Sequence, residues 1–141
     1  MLYPFGSAKI GVKKGALDAY ALPVATAYHS RFMEQSSARL LSEINKNHLR
    51  DPRIPLISYL FLESVPNKEE FKRIVTAQLS RPVLWVDLIK RLRNRSIRLL
   101  VEVGPGAVIC KTVKWIDRNI ETVNSATKER LLRAIGRYRM L

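Results

Sequence analysis

Apolar residues along this chain fall into two patterns: short continuous runs, and stripes at helical spacing. The runs are LPVATAY at 22–28, RIPLISYLFL at 53–62 and IRLLVEV at 97–103, each short and rich in β-branched or aromatic residues. They read as strands, the last ended by the Gly-Pro-Gly of EVGPG at 102–106. Between them lie the stripes. From Arg31, the residues Met33, Leu40, Leu41 and Ile44 share one face, and Asp51-Pro52 disfavours continuation beyond about Asn47. In VPNKEEFKRIVTAQL, Asn67 is a good N-cap, Glu69 and Glu70 suit a first turn, and Phe71, Ile74, Val75 and Leu79 form the stripe. Arg81-Pro82 ends it, and Trp85, Leu88, Ile89 and Leu92 mark the next helix. VICKTVKWIDRNI at 108–120 is amphipathic, and TKERLLRAIGRYRML at 127–141 reads as a basic final helix.

The order strand, helix, strand, helix, helix, strand, helix is an α/β pattern, with strands apolar enough to be covered on both faces. Residues 1–20 carry glycines and lysines with little periodicity, and read as a loop followed by a short helix at GALDAYAL. The rest forms one domain whose sheet has about three strands, fewer than the usual ~5–6. Such a sheet is incomplete.

Charge changes the picture most: 25 Lys and Arg stand against 12 Asp and Glu, a formal net charge of +13. That excess steers anionic partners such as nucleic acid, an acidic protein or a phosphate-bearing molecule. KRLRNRSIR at 90–98 is the densest run, and its plainest reading is an exposed helix face. Nucleic-acid binding is disfavoured, because the aromatics fall mostly on apolar faces or at the termini rather than among the cations. No apolar stretch approaches the roughly 18 residues of a membrane span, and the start lacks the layout of a secretory signal. Cys110 is the only cysteine, so an intrachain disulfide is excluded and a reducing, cytoplasmic setting is the default.

Candidate chemistry is sparse. His29 follows the first apolar run, where it reads either as an inert histidine hydrogen-bonded to a backbone carbonyl or as a general base. His48 sits at an expected helix end, where a cation suits the macrodipole. The chain contains no metal-ligand spacing, no phosphate loop, no dinucleotide fingerprint and no Gly-x-Ser-x-Gly elbow. Pro105 removes a backbone donor from EVGPG, which is therefore a tight strand-to-helix turn rather than a phosphate cradle.

Four stretches, in order, resemble one family. LPVATAYHSRFM is similar to the catalytic-histidine segment of malonyl-CoA:acyl-carrier-protein acyltransferases, and RIPLISYL to the strand after it. TAQLSRPVLW resembles the family's Gln-Leu-x-x-Pro-Val-x-Trp element, and LLVEVGPGAVICKTVKWI its Glu-Val-Gly-Pro-Gly strand and following helix. The match runs over about residues 17–120. The resemblance implies the C-terminal part of an acyltransferase (α/β-hydrolase-like) domain with an incomplete, mostly parallel sheet. Residues 1–20 would be the tail of the inserted small subdomain or a loop, and 21–141 the C-terminal part with its basic helix.

The resemblance also implies a mechanism. An acyl group passes from coenzyme A to an active-site serine, then to the phosphopantetheine thiol of an acyl carrier protein, in fatty-acid or polyketide biosynthesis. His29 corresponds to the general base, and Gln78 to the residue whose main-chain carbonyl orients it. No cofactor is implied; malonyl-CoA is the substrate. Tyr28, in the tetrapeptide ending at His29, resembles the malonyl type and would wall the acyl pocket against an α-methyl group, a difference of about 1–3 kcal/mol. The family's Gly-His-Ser-x-Gly nucleophile, its carboxylate-pairing arginine and its oxyanion-hole segment have no counterpart in these 141 residues. The expectation is a chain that supplies the histidine but not the serine and is inactive alone, either a truncated gene product or a separately encoded half that docks with an N-terminal partner. Ser58-Tyr59 also stands where relatives often carry asparagine. The alternative is a non-catalytic basic module for an acidic carrier protein or nucleic acid.

Overall fold

A computed structural model describes residues 10–16 and 24–140. Helix α1 (Glu34–Asn45), entered through a 3-10 turn at Arg31–Met33, packs on α2 (Lys68–Ala77). Helix α3 (Trp85–Asn94) leads to strand β1 (Leu99–Glu102), α4 (Val108–Ile116), strand β2 (Glu121–Asn124) and the final α5 (Lys128–Tyr138). The two strands run parallel, with Leu100 opposite Thr122 and Glu102 opposite Asn124. The sheet is thus α/β in class, parallel and incomplete.

The helices begin where their caps place them. The Asn67 side chain accepts from the Glu70 N–H at 2.9 Å, while Asp51 accepts from the Lys68 N–H at 2.9 Å, so two orphan donors of α2 are satisfied. Thr127 does the same for α5 through the Arg130 N–H. Helix α4 is gripped from the sheet: the Glu102 carboxylate accepts from the N–H groups of Ile109 (3.1 Å) and Cys110 (2.9 Å). The turn between strand and helix needs Gly104 and Gly106, whose φ of 143° and 90° a side chain would strain. It is the tight turn expected of EVGPG.

Two expected strands are not strands. Residues 24–28 of the run at 22–28 form a loop and a turn, and the remainder of that run lies outside the described residues. The turn closes at His29, whose φ of 61° no strand accommodates, and the Ser30 hydroxyl donates to the Ala27 carbonyl at 2.7 Å. The run at 53–62 makes one antiparallel bridge, Ile57 with Ser64, and then turns. Ser58 causes that turn. Buried at 2% exposure, its hydroxyl accepts from the N–H groups of Leu60 and Phe61, so the backbone bonds locally instead of along a ladder. The third expected strand is β1. Its neighbour β2 follows no pattern that the sequence displays, since ETVN offers a single strongly apolar residue and no alternation. The short helix expected at 15–22 lies almost wholly outside the described residues, which include one helical turn at 10–13.

The core is divided. Leu60, Val65 and Ile74 form one cluster with Tyr59 and Phe71 against it; Ile89, Val113 and Ile120 form another with Trp85, Leu92 and Leu100. Beside the second cluster Asp117 accepts from the Asn119 N–H at 2.9 Å and pairs with Arg93, so one cation of the basic run at 90–98 is engaged. Both contacts hold the Asp117 carboxyl below its ordinary value, the backbone bond most. Among the described residues, no helix is long and apolar enough to cross a membrane, and no group of three His, Cys, Asp or Glu side chains is placed to hold a metal ion.

Glu102 supplies an acid test of this arrangement. The Cys110 N–H, and after it that of Ile109, lowers the carboxyl's pKa below its ordinary value. Its stabilising contribution is therefore complete above the ordinary carboxylate range and disappears as pH falls through the lowered value. Glu102→Gln should lower the urea midpoint at pH 7 and flatten its decline between neutral and acidic pH. Parallel pH profiles for the two proteins would show that Glu102 does not hold α4.

Candidate functional site

His29 is held by the end of α2. Its N–H donates to the Leu79 carbonyl at 2.8 Å, and its ring Nδ1 lies 2.8 Å from the Gln78 carbonyl. Because a carbonyl only accepts, Nδ1 carries the proton, and in the neutral ring Nε2 is left with a free lone pair. Two bonds to consecutive carbonyls fix a residue whose left-handed backbone would otherwise cost on the order of 1–3 kcal/mol. These carbonyls are available for a helical reason: they follow the last turn of α2, where main-chain acceptors lack intrahelical partners. The side chain itself is exposed.

Gln78 does more than present a carbonyl. Its side-chain oxygen accepts from the Tyr59 hydroxyl, while the Tyr59 carbonyl accepts from the Leu84 N–H at 3.0 Å. Burial pushes the Tyr59 phenol above its ordinary pKa, which keeps it a donor at neutral pH. The sequence assigned Gln78 only a backbone role; the tether from Tyr59, nineteen positions away, was not legible there. Its signal was the tyrosine itself, a buried hydroxyl being obliged to find a partner.

Tyr28 precedes His29, its ring tilted 50° to the imidazole at 6.5 Å between centroids. Its side chain is 54% exposed, and that of Phe32, three residues beyond His29, 74%. Among the described residues, no serine or cysteine side chain hydrogen-bonds to the His29 ring. The Ser30 hydroxyl is turned to the Ala27 carbonyl. Cys110 is buried within α4, and desolvation first of all pushes its thiol upward, away from a reactive thiolate. His48 is exposed in the segment after α1 and takes no part.

A parallel strand pair, a Gly-Pro-Gly turn into a helix capped from the sheet, and a histidine fixed by a helix end make up an incomplete α/β unit. No protein-family model matches the chain. It is 26% identical over 129 residues to the malonyl CoA-acyl carrier protein transacylase of Bacillus subtilis, covering 92% of this chain and 41% of that protein. To the Staphylococcus aureus transacylase of the same name it is 27% identical over 119 residues, covering 84% and 39%. The solved malonyl CoA-acyl carrier protein transacylase of Coxiella burnetii superposes with a TM-score of 0.86 at 29% identity, covering 93% of this chain and 42% of that one. In sequence and fold the chain is similar to malonyl-CoA:acyl-carrier-protein acyltransferases, consistent with a C-terminal portion of them. It spans about two-fifths of the length of the curated relatives it matches.

The tether to Gln78 is measurable on its own. A double-mutant cycle on Tyr59→Phe and Gln78→Ala should give a coupling of about 0.5–1.5 kcal/mol in urea unfolding, the range of a net hydrogen bond. Additive single effects would show that the two side chains act independently.

Proposed function

We propose that this chain supplies the general base of a malonyl transferase that moves malonyl groups from coenzyme A to an acyl carrier protein in the cytoplasm. The observation that carries this reading is His29, an exposed imidazole whose Nδ1 is committed to the Gln78 carbonyl. Its Nε2 is then free to take a proton from a serine hydroxyl, activating the oxygen for attack on the malonyl thioester. Coenzyme A leaves as the thiol, and the acyl-serine ester forms. The same nitrogen then takes the proton of the carrier's phosphopantetheine thiol, whose sulfur displaces the serine. Only the thioester substrates are needed, with no cofactor. The serine, the carboxylate-binding arginine and the oxyanion-hole donors come from residues outside this sequence, on the N-terminal side of the domain.

One observation favours a second reading, a basic binding module. Lys111, Lys114, Arg130, Arg133 and Arg137 line a groove of about 430 Å³ along β2, a surface suited to an acidic carrier protein. Substitution of the histidine separates the two.

When the chain is combined with the remaining portion of a relative, His29→Ala should reduce transfer of labelled malonyl groups to carrier protein by about 10²–10⁴-fold. Carrier binding should stay unchanged. Unaltered transfer would leave the binding-module reading standing. The chain alone should form no covalent malonyl adduct; a stable adduct would mean that it holds its own nucleophile. In the combined enzyme, Tyr28→Ser should raise methylmalonyl transfer relative to malonyl by about tenfold or more, the discrimination a single methyl allows. An unchanged ratio removes Tyr28 from the pocket wall.

A further inference from the structure

The carbonyl that fixes His29 is one that a continuing helix would use itself. Helical bonds persist around the end of α2: the Gln78 N–H donates to the Ile74 carbonyl at 3.0 Å, and the Arg81 N–H to the Ala77 carbonyl at 3.0 Å. The next donor in that series would be the N–H of position 82, and its acceptor the Gln78 carbonyl. Position 82 is a proline, which has no N–H and whose ring clashes with a helical carbonyl four residues before it. The Gln78 carbonyl is thereby denied its helical donor. It lies 2.8 Å from the His29 Nδ1 instead.

A carbonyl in the last turn of a helix is also among the first to move when that turn frays. Here Tyr59 restrains it. The Tyr59 hydroxyl donates to the Gln78 side-chain oxygen, and the Tyr59 carbonyl accepts from the Leu84 N–H at 3.0 Å. One residue thus holds the chain on both sides of Pro82, at Gln78 before it and at Leu84 after it. Tyr59 is itself packed against the cluster of Leu60, Val65 and Ile74, so the restraint is tied to the core rather than to another mobile side chain.

We propose that Tyr59 and Pro82 are positioning residues for the His29 imidazole, both acting through Gln78. Pro82 keeps the acceptor vacant, and Tyr59 keeps it aimed at Nδ1. Their joint product is a single tautomer, with the proton on Nδ1 and the lone pair on Nε2. Without a fixed acceptor the neutral ring divides between two tautomers, and the form with a proton on Nε2 has no lone pair there to accept another. The effect on reaction rate rests on the malonyl-transferase reading. The hold on the tautomer rests on the hydrogen bonds and the proline.

The test reads the tautomer in the full 141-residue chain from the NMR shifts of the two ring nitrogens, with the imidazole neutral and exposed His48 as internal reference. In Tyr59→Phe, and separately in Pro82→Ala, the form protonated on Nε2 should rise about 2–10-fold, the change in equilibrium that one net hydrogen bond allows. Ile74→Val loosens the same cluster while leaving every bond of this chain of contacts in place. It should lower the urea midpoint and leave the tautomer ratio at that of the parent. In the enzyme completed with the remaining portion of a relative, Tyr59→Phe should lower kcat by a similar factor, with KM for malonyl-CoA unchanged. A shifted tautomer with unaltered transfer supports the positioning role and counts against His29 as the base. The proposal is overturned if Tyr59→Phe and Pro82→Ala both keep the parent's ratio. It is equally overturned if Ile74→Val shifts the ratio as far as they do, since the two residues would then serve only the general stability of the cluster.

Discussion

Two carbonyls at the end of one helix, those of Gln78 and Leu79, hold both the backbone and the ring of His29. Much of the N-terminal half of the described structure is arranged to keep those carbonyls in place. Asn67 and Asp51 fix where α2 begins. Ile74 anchors its inner face against Leu60 and Val65. Tyr59 takes the Gln78 side chain and, through its own carbonyl, the chain entering α3. The buried hydroxyl of Ser58 folds the turn that carries Tyr59. A base whose ring proton is committed to a fixed acceptor keeps one tautomer, and general-base chemistry requires that of it.

The second half of the structure obeys a different constraint. A two-stranded parallel sheet cannot cover both faces of its strands with the helices present, and the result is one buried cluster and an open groove. Glu102 ties α4 across one face; α5 stands off from the other. Cations occupy one margin of the sheet and valines the other. The similarity to chains more than twice as long accounts for this lopsidedness without any appeal to instability.

The helices were legible because their determinants are local. Asn67 followed by Glu69 and Glu70, and the stripe of Phe71, Ile74 and Val75, place α2 within a residue or two of where it lies. The EVGPG turn was legible for the same reason. The runs at 24–28 and 53–62 were not, since an apolar β-leaning segment becomes a strand only if a neighbour offers a ladder. There, Ser58 and Ser30 offered hydroxyls nearer at hand. Strand β2 escaped for the converse reason, its place being secured by β1 rather than by its own residues. Within the site, His29 and the Gln78 carbonyl were reached through motif resemblance, whereas the Tyr59 tether depends on residues that only folding brings together.

The division of the core into two clusters has a dynamic consequence. Segments that share few buried contacts can open separately, each with its own free energy below that of global unfolding. The imidazole's orientation is then a property of the α1–α2 unit, lost when the last turn of α2 frays, whatever the sheet is doing. Amide exchange at His29 and Gln78 would follow one opening rate, and exchange along β1 another. An imidazole of this construction is kept in its orientation by a helix end rather than by the sheet.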